Sequence, residues 1–219
     1  DPAVRARIIA ESRTPPEHWR LASITRDFHK YFPLARDHAD YEPAPGDSVD
    51  ALAKRQGRSP EDVVYDLLLE DGGKKKFYFP LYNYAGGDLE VVRQMMTHPA
   101  SLLGLGDGGA HYGYICDASY PTYLITHWAR DRTRGPKIGL EQLVHMQTMR
   151  NARGLGMTDR GALQAGQKAD INLIDFENLS VSAPQMRYDL PAGGRRLVQT
   201  ADGYEETLVA GKAILGAEN

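Results

Sequence analysis

Between residues 48 and 153 helix signals and strand signals alternate, and this alternation restricts the fold more than any other feature of the sequence. Ser48 is placed to cap a helix carrying Val49, Leu52 and Ala53, which Gly57 ends. Ser59-Pro60-Glu61-Asp62 opens a second helix with a cap, a proline in the first turn and acids at the positive end of the dipole. Its apolar stripe is Val63, Val64, Leu67 and Leu68, and Gly72-Gly73 stops it. Phe77-Tyr78-Phe79-Pro80-Leu81-Tyr82 reads as a short aromatic strand, interrupted where Pro80 cannot donate to a ladder. Asp88 then caps a helix with Val91, Val92, Met95 and Met96 on one face, closed by Pro99. Ser101 to Gly106 reads as an apolar strand, followed by a helix through Tyr123, Leu124 and Trp128 and another over 139–153. Helices interleaved with short apolar strands predict an α/β fold with a parallel sheet.

The flanks of that region are of different character. Residues 2–12 predict a helix with Val4, Ile8 and Ile9 on one face. From Thr14 to Pro45 prolines, charges and aromatics mix without period, and the aromatics Trp19, Phe28, Tyr31, Phe32 and Tyr41 argue against disorder. After residue 160 the helical period disappears. Ala169 to Asp175 alternates with period two, and Thr207 to Leu215 predicts a hairpin turning near Ala210-Gly211. The expected division is therefore residues 1–160 of α/β type and residues 161–219 all-β.

Composition excludes several classes. The net charge of −3, from 26 basic and 29 acidic residues, gives no basic footprint for nucleic acid or an anionic membrane. A single cysteine, Cys116, rules out an internal disulfide and a cysteine-built zinc or iron–sulfur site. No apolar run reaches membrane-spanning length. The chain opens Asp1-Pro2-Ala3-Val4-Arg5, with neither an apolar signal region nor an initiating methionine. The expectation is a cytoplasmic chain cut from something longer.

The chemistry concentrates in Gly104-Leu105-Gly106-Asp107-Gly108-Gly109-Ala110-His111. The segment satisfies G-x-G-x-x-G, but no helix opens after the third glycine, so the pyrophosphate contact of a dinucleotide fold would be missing. Asp107 follows directly on the apolar strand, where parallel α/β folds bind ligands. A carboxylate there can take a proton from water and return it to a leaving group; the competing reading is a plain Asp-Gly turn. Seven histidines are present, with no pair at i, i+2 on a strand and no H-E-x-x-H. Only His111 shares a glycine-rich loop with a candidate acid. There is no G-x-S-x-G elbow, and Cys116 lies next to Asp117 rather than beside a positive group.

Three stretches are similar to the amidohydrolase superfamily, nearest its N-acyl-D-amino-acid deacylase (D-aminoacylase-like) branch. They are Leu103 to His111, then Cys116-Asp117-Ala118-Ser119-Tyr120-Pro121-Thr122-Tyr123-Leu124, then Trp128-Ala129-Arg130-Asp131. A fourth, Gly156 to Asp170, resembles the superfamily's C-terminal signature D-R-G-x-[LI]-x-x-G-x-x-A-D. The resemblance implies the C-terminal portion of a (β/α)8 barrel over 1–160, with strands of a small β-sandwich over 161–219. It implies zinc or another divalent metal in the intact enzyme, with Asp107 as metal-side carboxylate and general base/acid. The family's H-x-H pair has no counterpart here and is expected to precede Asp1. Gly106 stands where serine is common, and Gly113-Tyr114-Ile115-Cys116-Asp117 replaces the His-Pro-Arg of D-aminoacylases. Substrate stereochemistry is thereby left open.

The expected function is hydrolysis of a non-peptide C–N bond in a small N-acyl substrate, with Tyr82, Asn83 and His111 as substrate contacts. The isolated chain is expected to be inactive and without stoichiometric metal. The alternative is a non-catalytic structural module that self-associates, or pairs with a missing N-terminal half, through open strand edges.

Overall fold

A computed structural model describes residues 1–14, 26–104, 106, 109 and 111–216. Backbone contacts divide the chain into two compact units, 1–92 and 93–219. That division falls within a helix, Glu90–Thr97.

The first unit is helical. Helix α1 (Pro2–Ser12) is capped by the Asp1 carboxylate, α2 (Val49–Gln56) by the Ser48 hydroxyl and α3 (Pro60–Gly73) by Ser59. Gly57 closes α2 with φ +62°, the left-handed conformation its missing Cβ permits. In α3 the backbone leaves helical values at Glu70, just before the predicted glycine stop. The core is Val49, Ala53 and Val63, packed by Phe28, Tyr31, Leu52, Val64, Leu67 and Phe77. Strands β1 (Phe32–Pro33) and β2 (Phe77–Tyr78) pair antiparallel. Helix α1 is held to α3 by Arg5, whose guanidinium reaches Asp62 at 2.7 Å and Asp66 at 3.2 Å and lies over the Tyr65 ring. Helix α4 (Glu90–Thr97) carries the boundary between the units.

In the second unit α5 (Tyr120–Ile125) runs into a wider π-type turn over Thr126–Asp131. The predicted helix over 139–153 is two helices, α6 (Leu140–Gln147) and α7 (Met149–Gly154), broken at Thr148 (φ −116°, ψ −93°). Trp128, Leu143, Met146 and Leu179 are its most deeply buried large apolar side chains. Arg132 is buried with them: its guanidinium lies 4.6 Å above the Trp128 ring and donates to the Pro136 carbonyl at 2.7 Å. Gly135 makes room, since a Cβ there would come within 2.8 Å of that guanidinium.

The remaining strands are β3 (Ile171–Ile174), β4 (Ser180–Val181), β5 (Gln185–Leu190), β6 (Gly194–Val198), β7 (Ala201–Asp202), β8 (Tyr204–Val209) and β9 (Lys212–Leu215). They form the sheets β3-β8-β9, β4-β7 and β5-β6, and every pairing is antiparallel. The β8–β9 hairpin turns where predicted, with Ala210 (φ +50°) and Gly211 (φ +77°) between the paired Val209 and Lys212. Both central residues at positive φ match a type I′ turn.

The mixed helix and strand content agrees with an α/β chain. The parallel sheet does not emerge: the described residues contain no closed barrel, and Ser101–Gly104 is in no ladder. A strand exists only opposite a partner that takes its N–H and C=O groups, and the described residues place none beside that segment.

Candidate functional site

The segment leading to Asp107 is anchored by α7. The Asn151 side-chain amide donates to the Leu103 carbonyl, and the Arg150 guanidinium donates to the His98 carbonyl. Gly154 backs onto Leu102 so closely that a Cβ would lie 2.5 Å from a Leu102 methyl. Further along, Gly106 lies against the Asp117 carbonyl: a Cβ there would stand 2.4 Å from that oxygen and 3.0 Å from the Tyr120 ring. The same carbonyl accepts the Tyr120 N–H at 3.1 Å, at the entry to α5. This close approach accounts for glycine at position 106.

Asp107 itself lies outside the described residues, as do His18 and Trp19. His111 is described. It is exposed, has φ +54°, and stacks on Tyr114 with ring centroids 5.5 Å apart. Its Nδ1 is 2.9 Å from the Tyr114 hydroxyl, and its carbonyl accepts the N–H groups of Tyr114 and Ile115. A left-handed backbone at a bulky residue is uncommon and is tolerated where surrounding bonds fix it. The loop is also fastened to the β-strands, because Leu197 N–H donates to the Tyr112 carbonyl at 2.6 Å.

Tyr82 and Asn83 belong to the first unit. Tyr82 is 82% exposed, Asn83 has φ +60°, and the next residue, Tyr84, is buried with its hydroxyl donating to the Pro43 carbonyl. That anchor holds the base of the turn and leaves Tyr82 and Asn83 facing solvent.

The Cys116 thiol is half-buried, and burial first, then the Asp117 charge, pushes it above the usual thiol range. Such a thiol is a poor nucleophile at neutral pH. Among the described residues no three His, Cys, Asp or Glu side chains converge to hold a metal. The described residues therefore do not fit a metal centre by themselves.

The C-terminal signature has an architectural role. Asp159 pairs with Arg160 at 2.9 Å, and Arg160 and Lys168 approach Asp170 at 3.5 and 3.4 Å. Asp170 accepts the Ala210 N–H at 2.8 Å, and Ala169 accepts the Gly211 N–H, tying the signature to the β8–β9 turn. That backbone bond, followed by the Lys168 and Arg160 charges, holds the Asp170 carboxyl below its ordinary range. Gly161 (φ +96°) packs on α7, where a Cβ would lie 2.8 Å from the Met149 Cα.

The amidohydrolase family model matches residues 13–215, nearly the whole chain. The chain belongs to the amidohydrolase family, and hydrolase chemistry in general follows from that membership. No curated protein and no solved structure matches it significantly. No helix among the described residues is long and apolar enough to cross a membrane.

Sequence reasoning passed over Asn151. Its only signal was a weak helix former close to the end of a predicted helix, a position where an amide usually finds a local backbone partner.

Proposed function

We propose that this chain forms part of an N-acyl amide hydrolase of the D-aminoacylase-like branch, with Asp107 as general base and then general acid. The observation that carries the reading is the family match over 13–215, which takes in the Gly106-Asp107-Gly108 segment and the C-terminal signature together. In the proposed sequence the Asp107 carboxylate accepts a proton from a water molecule. The resulting hydroxide attacks the acyl carbon, and the tetrahedral adduct collapses as Asp107 returns the proton to the departing nitrogen. The products are a carboxylate and an amine. His111 contacts the substrate through Nε2, since Nδ1 is engaged with Tyr114, and Tyr82 and Asn83 supply further contacts. A barrel over 1–160, sandwich strands over 161–219 and a divalent metal beside Asp107 in the intact enzyme remain parts of the proposal. No step is written through that metal. A cytoplasmic setting accords with the single, unpaired cysteine.

The test is hydrolysis of a panel of N-acyl amino acids and related amides by a longer protein that includes residues 1–219, with and without added zinc. Asp107→Asn should reduce kcat by about a thousandfold or more, in line with the loss of a proton-transfer group, with an unchanged circular dichroism spectrum. Near-normal turnover in that variant removes Asp107 from the mechanism.

A second reading is favoured by a different observation. Strand β9 is exposed along its length, with Ile214 at 58% and Leu215 at 48%, and Leu173 on β3 is 59% exposed. Open apolar strands of this kind suit a module that associates with itself. Concentration-dependent mass in sedimentation, with no hydrolysis in the longer protein either, would favour it over the enzyme.

A further inference from the structure

We infer that Asn151 is a positioning residue for the segment that delivers Asp107, an inference resting on the catalytic reading of that carboxylate. Leu103 is four residues before Asp107 in the chain, and its carbonyl is taken by the Asn151 side-chain amide rather than by a neighbouring strand. A backbone carbonyl with no ladder partner needs a substitute donor; a primary carboxamide reproduces the donor of a peptide group. The Asn151 Oδ1 is shut off from solvent and accepts no hydrogen bond among the described residues. The side chain is thus committed to the Leu103 bond and not to solvation. Among the described residues α7 is also attached to 98–103 through Arg150 to His98 and Gly154 to Leu102. On the far side of Asp107 in sequence, the Asp117 carbonyl packs so near Gly106 that a Cβ there would stand 2.4 Å from it.

Because Asn151 touches the backbone and not the substrate, its loss should act on the chemical step and leave binding largely alone.

Two measurements test this. In the 219-residue chain, amide hydrogen exchange over 98–106 should accelerate about tenfold in Asn151→Leu, a local opening, while α2 and α3 keep their protection. Unchanged exchange over that stretch overturns the tether. In the longer, active protein, Asn151→Leu should lower kcat about 10- to 100-fold, the cost of slight misplacement of a catalytic group. KM should stay within about twofold, as for an interaction made only in the transition state, and Asn151→Gln, which keeps the carboxamide, should recover part of the loss. Faster exchange with kcat and KM both unchanged reduces Asn151 to a structural contact and overturns the positioning role. An inactive wild-type protein overturns the function proposed above, and the exchange result then decides the tether alone.

Discussion

At Gly106 an added methyl group would be driven into the Asp117 carbonyl, which is backbone and cannot swing aside. Gly106→Ala should therefore cost about 1–3 kcal/mol, the usual range for overpacking, and Gly106→Ser at least as much. Chemical denaturation of the two variants beside wild type would measure this; a loss within error of zero would mean the loop shifts freely. The contact also shows where single-sequence reading stops. The need for glycine at 106 could not be read locally, because its reason lies eleven residues away at Asp117. Asn151 was harder still, since its partner, Leu103, is 48 positions earlier in the chain. The proposal of Asp107 and His111 rests on a local pattern, glycine-rich sequence around an acid, whereas the Tyr114 hydroxyl on the His111 ring follows from the turn geometry.

Elements whose signals are local were readable in advance. Ser48 and Ser59 cap as expected, and Ala210-Gly211 makes the hairpin turn. Elements that need a distant partner were not: Ser101–Gly104 carries an apolar strand pattern without a ladder, and α6 and α7 part at Thr148 inside a continuous helical period. At this scale the attachment of α1 to α3 has a pH signature. The Ser59 hydroxyl first, and then Arg5, hold the Asp62 carboxyl below its ordinary range. Arg58 first, and then Arg5, do the same for Asp66. Carboxylates that titrate lower in the folded state stabilise it above their unfolded pKa of about 3.9, and this contribution disappears as pH falls through the folded value. Arg5→Ala should thus lower the thermal midpoint at neutral pH, modestly because the pairs are partly exposed. The gap from wild type should narrow as the solution is acidified below pH ~4. Melts across a pH series check this, and a gap independent of pH would mean that Arg5 acts through its packing on Tyr65.

Across the whole molecule, each of the two units has its own buried apolar set, Val49, Ala53 and Val63 in one and Trp128, Leu143, Met146 and Leu179 in the other. The change from helix-rich to all-β sequence was legible. The unit boundary in α4 was not, because Glu90–Thr97 carries no break in composition where contacts change sides. The stacking of Arg132 on Trp128 has an optical consequence. The chain holds two tryptophans, and the one at 128 is only 2% exposed and lies beneath a cation. In Trp19→Phe the residual indole emission should be blue-shifted, shielded from acrylamide, and altered by Arg132→Leu. Emission like that of free indole would contradict the burial. Such a variant would turn the second unit into its own fluorometer, reporting the loosening of one core by colour while the other stays dark.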